Sequence, residues 1–196
     1  MSLFPLILGL AIFFAAHVFT ICRGARADAR NRLGEGAYKG GYSLVSAVGL
    51  GLIIWGFGYY RSQGYIPVWS PPRFLSHIAL LLMLPAMILL VATYLPGKIK
   101  QKAKHPMLAA VKLWALAHLL ANGDLGSLLL FGSFLAYGVY DRIAVKKRAL
   151  AEVTPALGPG KPANDIAAIV IGTTVYAAFV FWLHPILIGV SVIVRQ

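Results

Sequence analysis

The sequence predicts an all-α, polytopic membrane protein, a bundle of six transmembrane helices, and three observations carry that prediction. The 196-residue chain is 59% apolar and only 12% charged, where a soluble domain carries about 25% charged residues. Its apolar residues fall into six stretches close to the roughly 20 residues needed to cross a bilayer as a helix. Its Lys and Arg gather in alternate connections between those stretches. This composition excludes an ordinary water-soluble enzyme.

The six spans are expected at about 3–22, 42–60, 72–95, 106–121, 125–140 and 166–194. The first has no basic residue ahead of it and a dense basic segment behind it, the flank order of an anchor with its N-terminus outside and not of a cleaved signal peptide. The third contains Pro85 and the sixth Pro185, each expected to kink its helix. The fourth opens on His105-Pro106, with proline at the first helical position and His105 at the interface. Its 16 residues reach only about 24 Å, so it must start below the surface, extend into its flanks or be sheltered by neighbours. Only Asn122-Gly123-Asp124 separates it from the fifth span, and Asp124 is expected to cap that helix. The stretch 154–164, with Pro155, Pro159 and Pro162 beside Gly158 and Gly160, reads as a flexible connection. Asn164 or Asp165 is expected to cap the last helix. Trp55, Tyr59, Tyr60, Tyr65, Trp69 and Trp182 gather near span ends and read as an interfacial aromatic belt.

Eighteen Lys and Arg against six Asp and Glu give a net charge of +12. In a soluble chain that excess would suggest nucleic acid. Here 14 of the 18 lie in the first, third and fifth connections, three lie in the second connection and at the C-terminus, and Lys112 lies inside the fourth span. The positive-inside rule then places the three basic connections in the cytoplasm and both termini outside, and nucleic acid drops out as a partner. The single cysteine, Cys22, allows no internal disulfide and no cysteine-based metal centre.

No dinucleotide fingerprint, phosphate-binding loop or His-Glu-x-x-His motif occurs. The six acidic residues all lie in or beside connections, which excludes a carboxylate pair working within the membrane. Histidine remains. His17 lies in the first span, His77 in the third, His118 in the fourth and His184 in the sixth. An ionisable residue within a span is expensive and by default marks function. No helix carries two histidines at i, i+4, so a ligand pair must come from two helices, as in bundles that hold cofactors in their cores. Haem iron between two imidazoles suits that arrangement. A five-residue echo links Phe13-Phe14-Ala15-Ala16-His17 to Trp114-Ala115-Leu116-Ala117-His118. By depth, His17 and His118 stand about 10 Å out of step, whereas His77 matches His118 more closely; on the residues alone both pairings stay open. His184-Pro185 reads as a structural kink near the outer surface. Lys112 is expected to snorkel to the cytoplasmic face or to pair with a haem propionate.

The run His105-Pro106-Met107, continuing through Leu113-Trp114-Ala115-Leu116-Ala117-His118-Leu119-Leu120-Ala121 to Asn122-Gly123-Asp124, resembles the signature of the NnrU family of bacterial membrane proteins. The early His17 followed by a basic segment and the late His184-Pro185 extend the likeness over nearly the whole chain, as a single transmembrane domain. That family is also understood to include the 15-cis-zeta-carotene isomerase. The resemblance implies a haem b protein of the bacterial inner membrane. Its axial ligands would be His17 and His118, with His77 as the alternative from depth. It implies a link to nitrite and nitric oxide metabolism, or to redox-gated isomerisation of a lipophilic polyene. The partners would be the lipid bilayer, haem, a lipophilic small molecule and an electron donor the sequence does not name. Where the isomerase branch has a cysteine three residues before the fourth-helix histidine, this chain has Ala115, which removes that alternative ligand. A membrane methyltransferase-like or lipid-handling enzyme without haem, and a non-catalytic accessory protein, are the competing classes.

Overall fold

A computed structural model describes residues 2–151 and 160–193, with backbone alone for 148–151. Most of the connection expected at 154–164, and the end of the sixth span at Val194, lie outside the described residues. The elements are α1 (Phe4–Ile21), α2 (Arg23–Leu33), α3 (Glu35–Ser62), α4 (Arg73–Ala92), α5 (Lys98–Ala103), α6 (Pro106–Ala121), α7 (Leu125–Ala151), α8 (Pro162–Ala178), a π-helical turn (Phe179–Leu183) and α9 (His184–Ile188). Five helical segments are long and apolar enough to cross a membrane, and α6 is the shorter apolar helix the sequence predicts. The protein is all-α and polytopic. Its contacts gather into two compact units, Met1–Pro71 with Asn122–Ala144, and Pro72–Ala121 with Val145–Gln196.

The first unit is built on α1 against α3. Without a hydrophobic driving force between helices in lipid, close backbone approach through small residues has to supply the packing. Gly9 meets the backbone of Ile53, Gly49 that of Phe13 and Gly56 that of Leu6. The helix α3 has 28 residues and is about 42 Å long, so it overruns a hydrocarbon core of about 30 Å. The expected second span, 42–60, is therefore the middle of a longer helix. The expected first connection, between 22 and 42, includes Lys39, but a Glu35–Lys39 ion pair at i, i+4 supports a helix there. The basic first connection is also helical. Helix α2 buries none of its residues and ends at Gly34, whose φ of 79° fits a glycine turn.

The far end of this unit is tied by backbone bonds. Val68 and Trp69 donate to the carbonyl of Gly123 at 2.8 and 3.1 Å, and Leu125 donates to Ile66 at 2.9 Å. Asp124 caps α7 as expected, accepting from Ser127 N at 2.9 Å and Ser127 Oγ at 2.6 Å. Tyr60 departs from the aromatic belt. It is fully buried, its ring lies against Gly126 and its hydroxyl accepts the Ile66 N–H at 2.7 Å. Trp55, Tyr59, Tyr65, Trp69 and Trp182 are exposed, as a belt requires.

In the second unit α4 packs against both α6 and α8. Small residues again set the approach: Ala79, Ala86 and Ala92 on α4, Ala110, Ala115 and Ala117 on α6, and Ala168 with Gly172 on α8. A Cβ built on Gly172 would stand 2.6 Å from Ile88 Cα, so only glycine allows this approach. Pro85 lies inside α4 without ending it. The third connection holds the short α5, and Asp165 belongs to that helix's cap, not to its own. Its carboxylate accepts the N–H groups of Lys98 and Ile99, both at 2.9 Å, while Asn164 Nδ2 donates to the Pro96 carbonyl at 2.9 Å. Helix α8 starts instead on Lys161, with Pro162 at its first position. The sixth span stops at Ile188, before Gly189 with φ 75°. One turn ahead of Pro185 the helix loosens to π geometry, with the His184 N–H reaching back to Phe179. That register slip accommodates a proline that has no N–H and would crowd the carbonyl four residues earlier.

Candidate functional site

His17 lies in the last turns of α1, half-buried, with Nδ1 2.7 Å from the carbonyl of Phe13. A carbonyl can only accept, so Nδ1 carries the proton and Nε2 keeps its lone pair. The Phe13 ring stacks on the imidazole at 4.0 Å and 27°. Tyr42 of α3 approaches at 5.6 Å and Tyr137 of α7 stands edge-on at 5.7 Å. Phe14 and Phe134 extend this aromatic wall. His17 is thus held in a fixed tautomer among aromatic rings.

His118, in the second unit, repeats the arrangement. Its Nδ1 is 2.8 Å from the carbonyl of Trp114, and the indole lies 5.2 Å from the imidazole. The five-residue echo therefore has a physical meaning. In each copy a histidine bonds the carbonyl of an aromatic residue one turn back, and that residue's ring flanks it. Such an outer bond is what orients an imidazole for iron and raises its basicity.

His184 follows the π-helical turn, and its Nδ1 bonds the carbonyl of Val190 at 2.7 Å. Its bond to a backbone carbonyl is of the same kind as those of His17 and His118. His77 is exposed, two residues from the buried Ala79 on α4. At 100° per residue that turns it away from the packed face. Lys112 is half-buried on α6. Six residues from His118, it lies about 120° round the helix, so the two do not share a face.

The start of α6 is unusual. Lys104 has φ 58°, and the His105 N–H bonds the Ala103 carbonyl at 2.6 Å. This is a γ-turn of the rare, strained hand. Cys22 is exposed at the junction of α1 and α2. Among the described residues no three His, Cys, Asp or Glu side chains converge as a metal site.

The family model described as NnrU protein matches residues 5–192. The chain belongs to the NnrU family. Searches of characterised proteins and of solved structures found no match. In this NnrU chain the matched region covers every histidine described above. Sequence reasoning missed two residues on the face of α3 that carries Tyr42. Tyr38 Oη and Ser46 Oγ are buried and have no hydrogen-bond partner. They lie at i−4 and i+4 from Tyr42, and that spacing was the only signal that could have found them.

Proposed function

We propose that this chain is a redox-active haem b protein of the bacterial inner membrane, with His17 and His118 as its axial ligands. The reading places the basic connections in the cytoplasm and both termini in the periplasm. Its role would lie in nitrite and nitric oxide metabolism or in redox-gated isomerisation of a lipophilic polyene. The observation that carries it is the shared bond from Nδ1 to a backbone carbonyl, which fixes in each imidazole the tautomer whose lone pair sits on Nε2. When bound, haem would supply one-electron chemistry. The protein's part is to hold each imidazole in one tautomer, to flank it with aromatic rings and to keep it from bulk water.

A second ligand pair, His118 with His184, is favoured by the bond from His184 Nδ1 to the Val190 carbonyl, which repeats the kind of bond made by His17 and His118. Absorption spectra of the purified protein, oxidised and reduced, test the proposal. A sharp low-spin b-type spectrum lost in His17→Ala and in His118→Ala is the expected result. Loss in His184→Ala with survival in His17→Ala would move the second ligand to α9, and the same result in His77→Ala would move it to α4. Folded protein that takes up no haem would refute the reading and favour a methyltransferase-like or lipid-handling enzyme, or an accessory protein.

A further inference from the structure

Helix α2 buries none of its 11 residues and carries Arg23, Arg26, Arg30 and Arg32. A helix this short is marginal in water, and one that is polar all round gains little by packing on its own chain. Between positions 23 and 39 stand five basic residues and two acidic ones. Of the acidic pair, Glu35 is held by Arg30 at 2.8 Å and by Lys39 at 2.7 Å. Arg26 and Arg32 are exposed, and their guanidinium groups make no hydrogen bond or ion pair among the described residues. The second acid, Asp28, lies about 40° round the helix from Arg32 but about 160° from Arg26. Arg26 is therefore a cation with no anion on its face of α2.

The packing of α1 on α3 fixes where α2 lies. Gly9 with Ile53, Phe13 with Gly49 and Leu6 with Gly56 set a single antiparallel register, which makes Ile21, the last residue of α1, level with Gly41. Arg23 is then level with Lys39, and α3 begins at Glu35, only about 6 Å further out. Helix α2 covers that small rise over its own length of about 16 Å. It therefore runs nearer to the plane of the bilayer than to its normal. The headgroup layer beyond the hydrocarbon core is about 5–8 Å deep on each side, so α2 stays within that layer along its length. Arg26 stands in the half nearer the core and Arg32 at the outer end.

We propose that α2 is a docking surface for anionic phospholipids of the bilayer that α1 crosses, with the Arg26 guanidinium paired to a lipid phosphate. The planar fork of N–H donors on arginine matches phosphate oxygens in two parallel bonds. Basic residues directly beside a membrane-spanning helix are drawn to an anionic leaflet, and the attraction fades within a Debye length. Lipid headgroups then cover a helix that the chain itself leaves uncovered. No covalent step is involved, and the inference stands apart from the haem reading.

The test uses the full-length chain with a fluorescent donor on Cys22, its single cysteine, which adjoins α2 and is exposed. The protein is reconstituted in mixed vesicles of phosphatidylcholine and phosphatidylglycerol. Energy transfer to acceptors on the acyl chains of one lipid or the other reads which of them gathers beside α2. Wild type is expected to favour phosphatidylglycerol by about fivefold or more. Arg26→Gln should lower that preference about fivefold, the effect of one basic residue near an anionic surface. Arg26→Lys should keep most of it, and Arg32→Gln should stay within about twofold of wild type. Equal transfer to both lipids in wild type would overturn the proposal and leave α2 to an acidic protein partner. An unchanged preference in Arg26→Gln, or an equal fall in Arg32→Gln, would overturn the role of Arg26. The wild-type comparison needs no variant, so a folding defect cannot imitate the expected result.

Discussion

The approach of α1 to α3 at Gly49 allows a sharp test of how the His17 site is held. A Cβ built on Gly49 would stand 2.7 Å from Phe13 N and 2.9 Å from Phe13 Cα. Favourable contacts between heavy atoms lie at about 3.5–4.0 Å, so Gly49→Ala must push α1 away by nearly 1 Å at Phe13. Phe13 is the residue whose carbonyl fixes His17 and whose ring stacks on it. Overpacking of this kind costs about 1–3 kcal/mol. Gly51, two residues on, has nothing near its missing Cβ. There an alanine should stabilise the helix by about 0.5–1 kcal/mol. The two variants, chemically identical, are expected to differ by about 1.5–4 kcal/mol and in opposite directions from wild type. Thermal unfolding in detergent, followed by tryptophan fluorescence, measures the gap. Equal stability of the two variants would refute a close α1–α3 contact at Gly49.

Three further outcomes follow from local geometry. Asp165→Ala removes the acceptor of the Lys98 and Ile99 N–H groups. For a partly exposed pair that is worth about 1–2 kcal/mol of local stability, so tryptic cleavage within 98–104 should speed up roughly 5–30-fold; an unchanged rate counts against the cross-cap. Lys104→Gly relieves a non-glycine φ of 58° and should raise stability by about 1 kcal/mol, whereas Lys104→Ala should not, and equal melting of the two would sink the strain argument. Cys22 is the chain's single cysteine and is exposed. A membrane-impermeant maleimide should label it in inside-out vesicles and not in intact cells, and the reverse pattern would invert the proposed topology.

Hydropathy is a one-dimensional property, so the number of membrane segments could be read from composition and breakers alone. The shortness of α6 and the Asp124 cap were legible for the same reason. Each depends on neighbours within about one turn or on residue type. Where the sequence was misread, the deciding partner was remote or the choice lay between faces of a helix. Asp165 looked like a cap for α8 because it stands at that helix's start, yet its carboxylate is spent on N–H groups 67 and 66 residues away. Tyr60 looked like an interfacial aromatic until Gly126 and Ile66 closed over it.

The sequence by itself determined that this is a membrane-spanning chain of the NnrU type whose intramembrane chemistry is almost confined to histidine. That follows from the free-energy cost of burying charge and unpaired backbone in lipid, which only apolar helices avoid. Tertiary structure decided which side chains those helices turn toward one another. It put Tyr42 and Tyr137 around His17, turned His77 outward, and left the Tyr38 hydroxyl buried without a partner. Those outcomes depend on how helices distant in sequence approach through glycine and alanine, and that approach is set by three-dimensional packing that no linear pattern encodes.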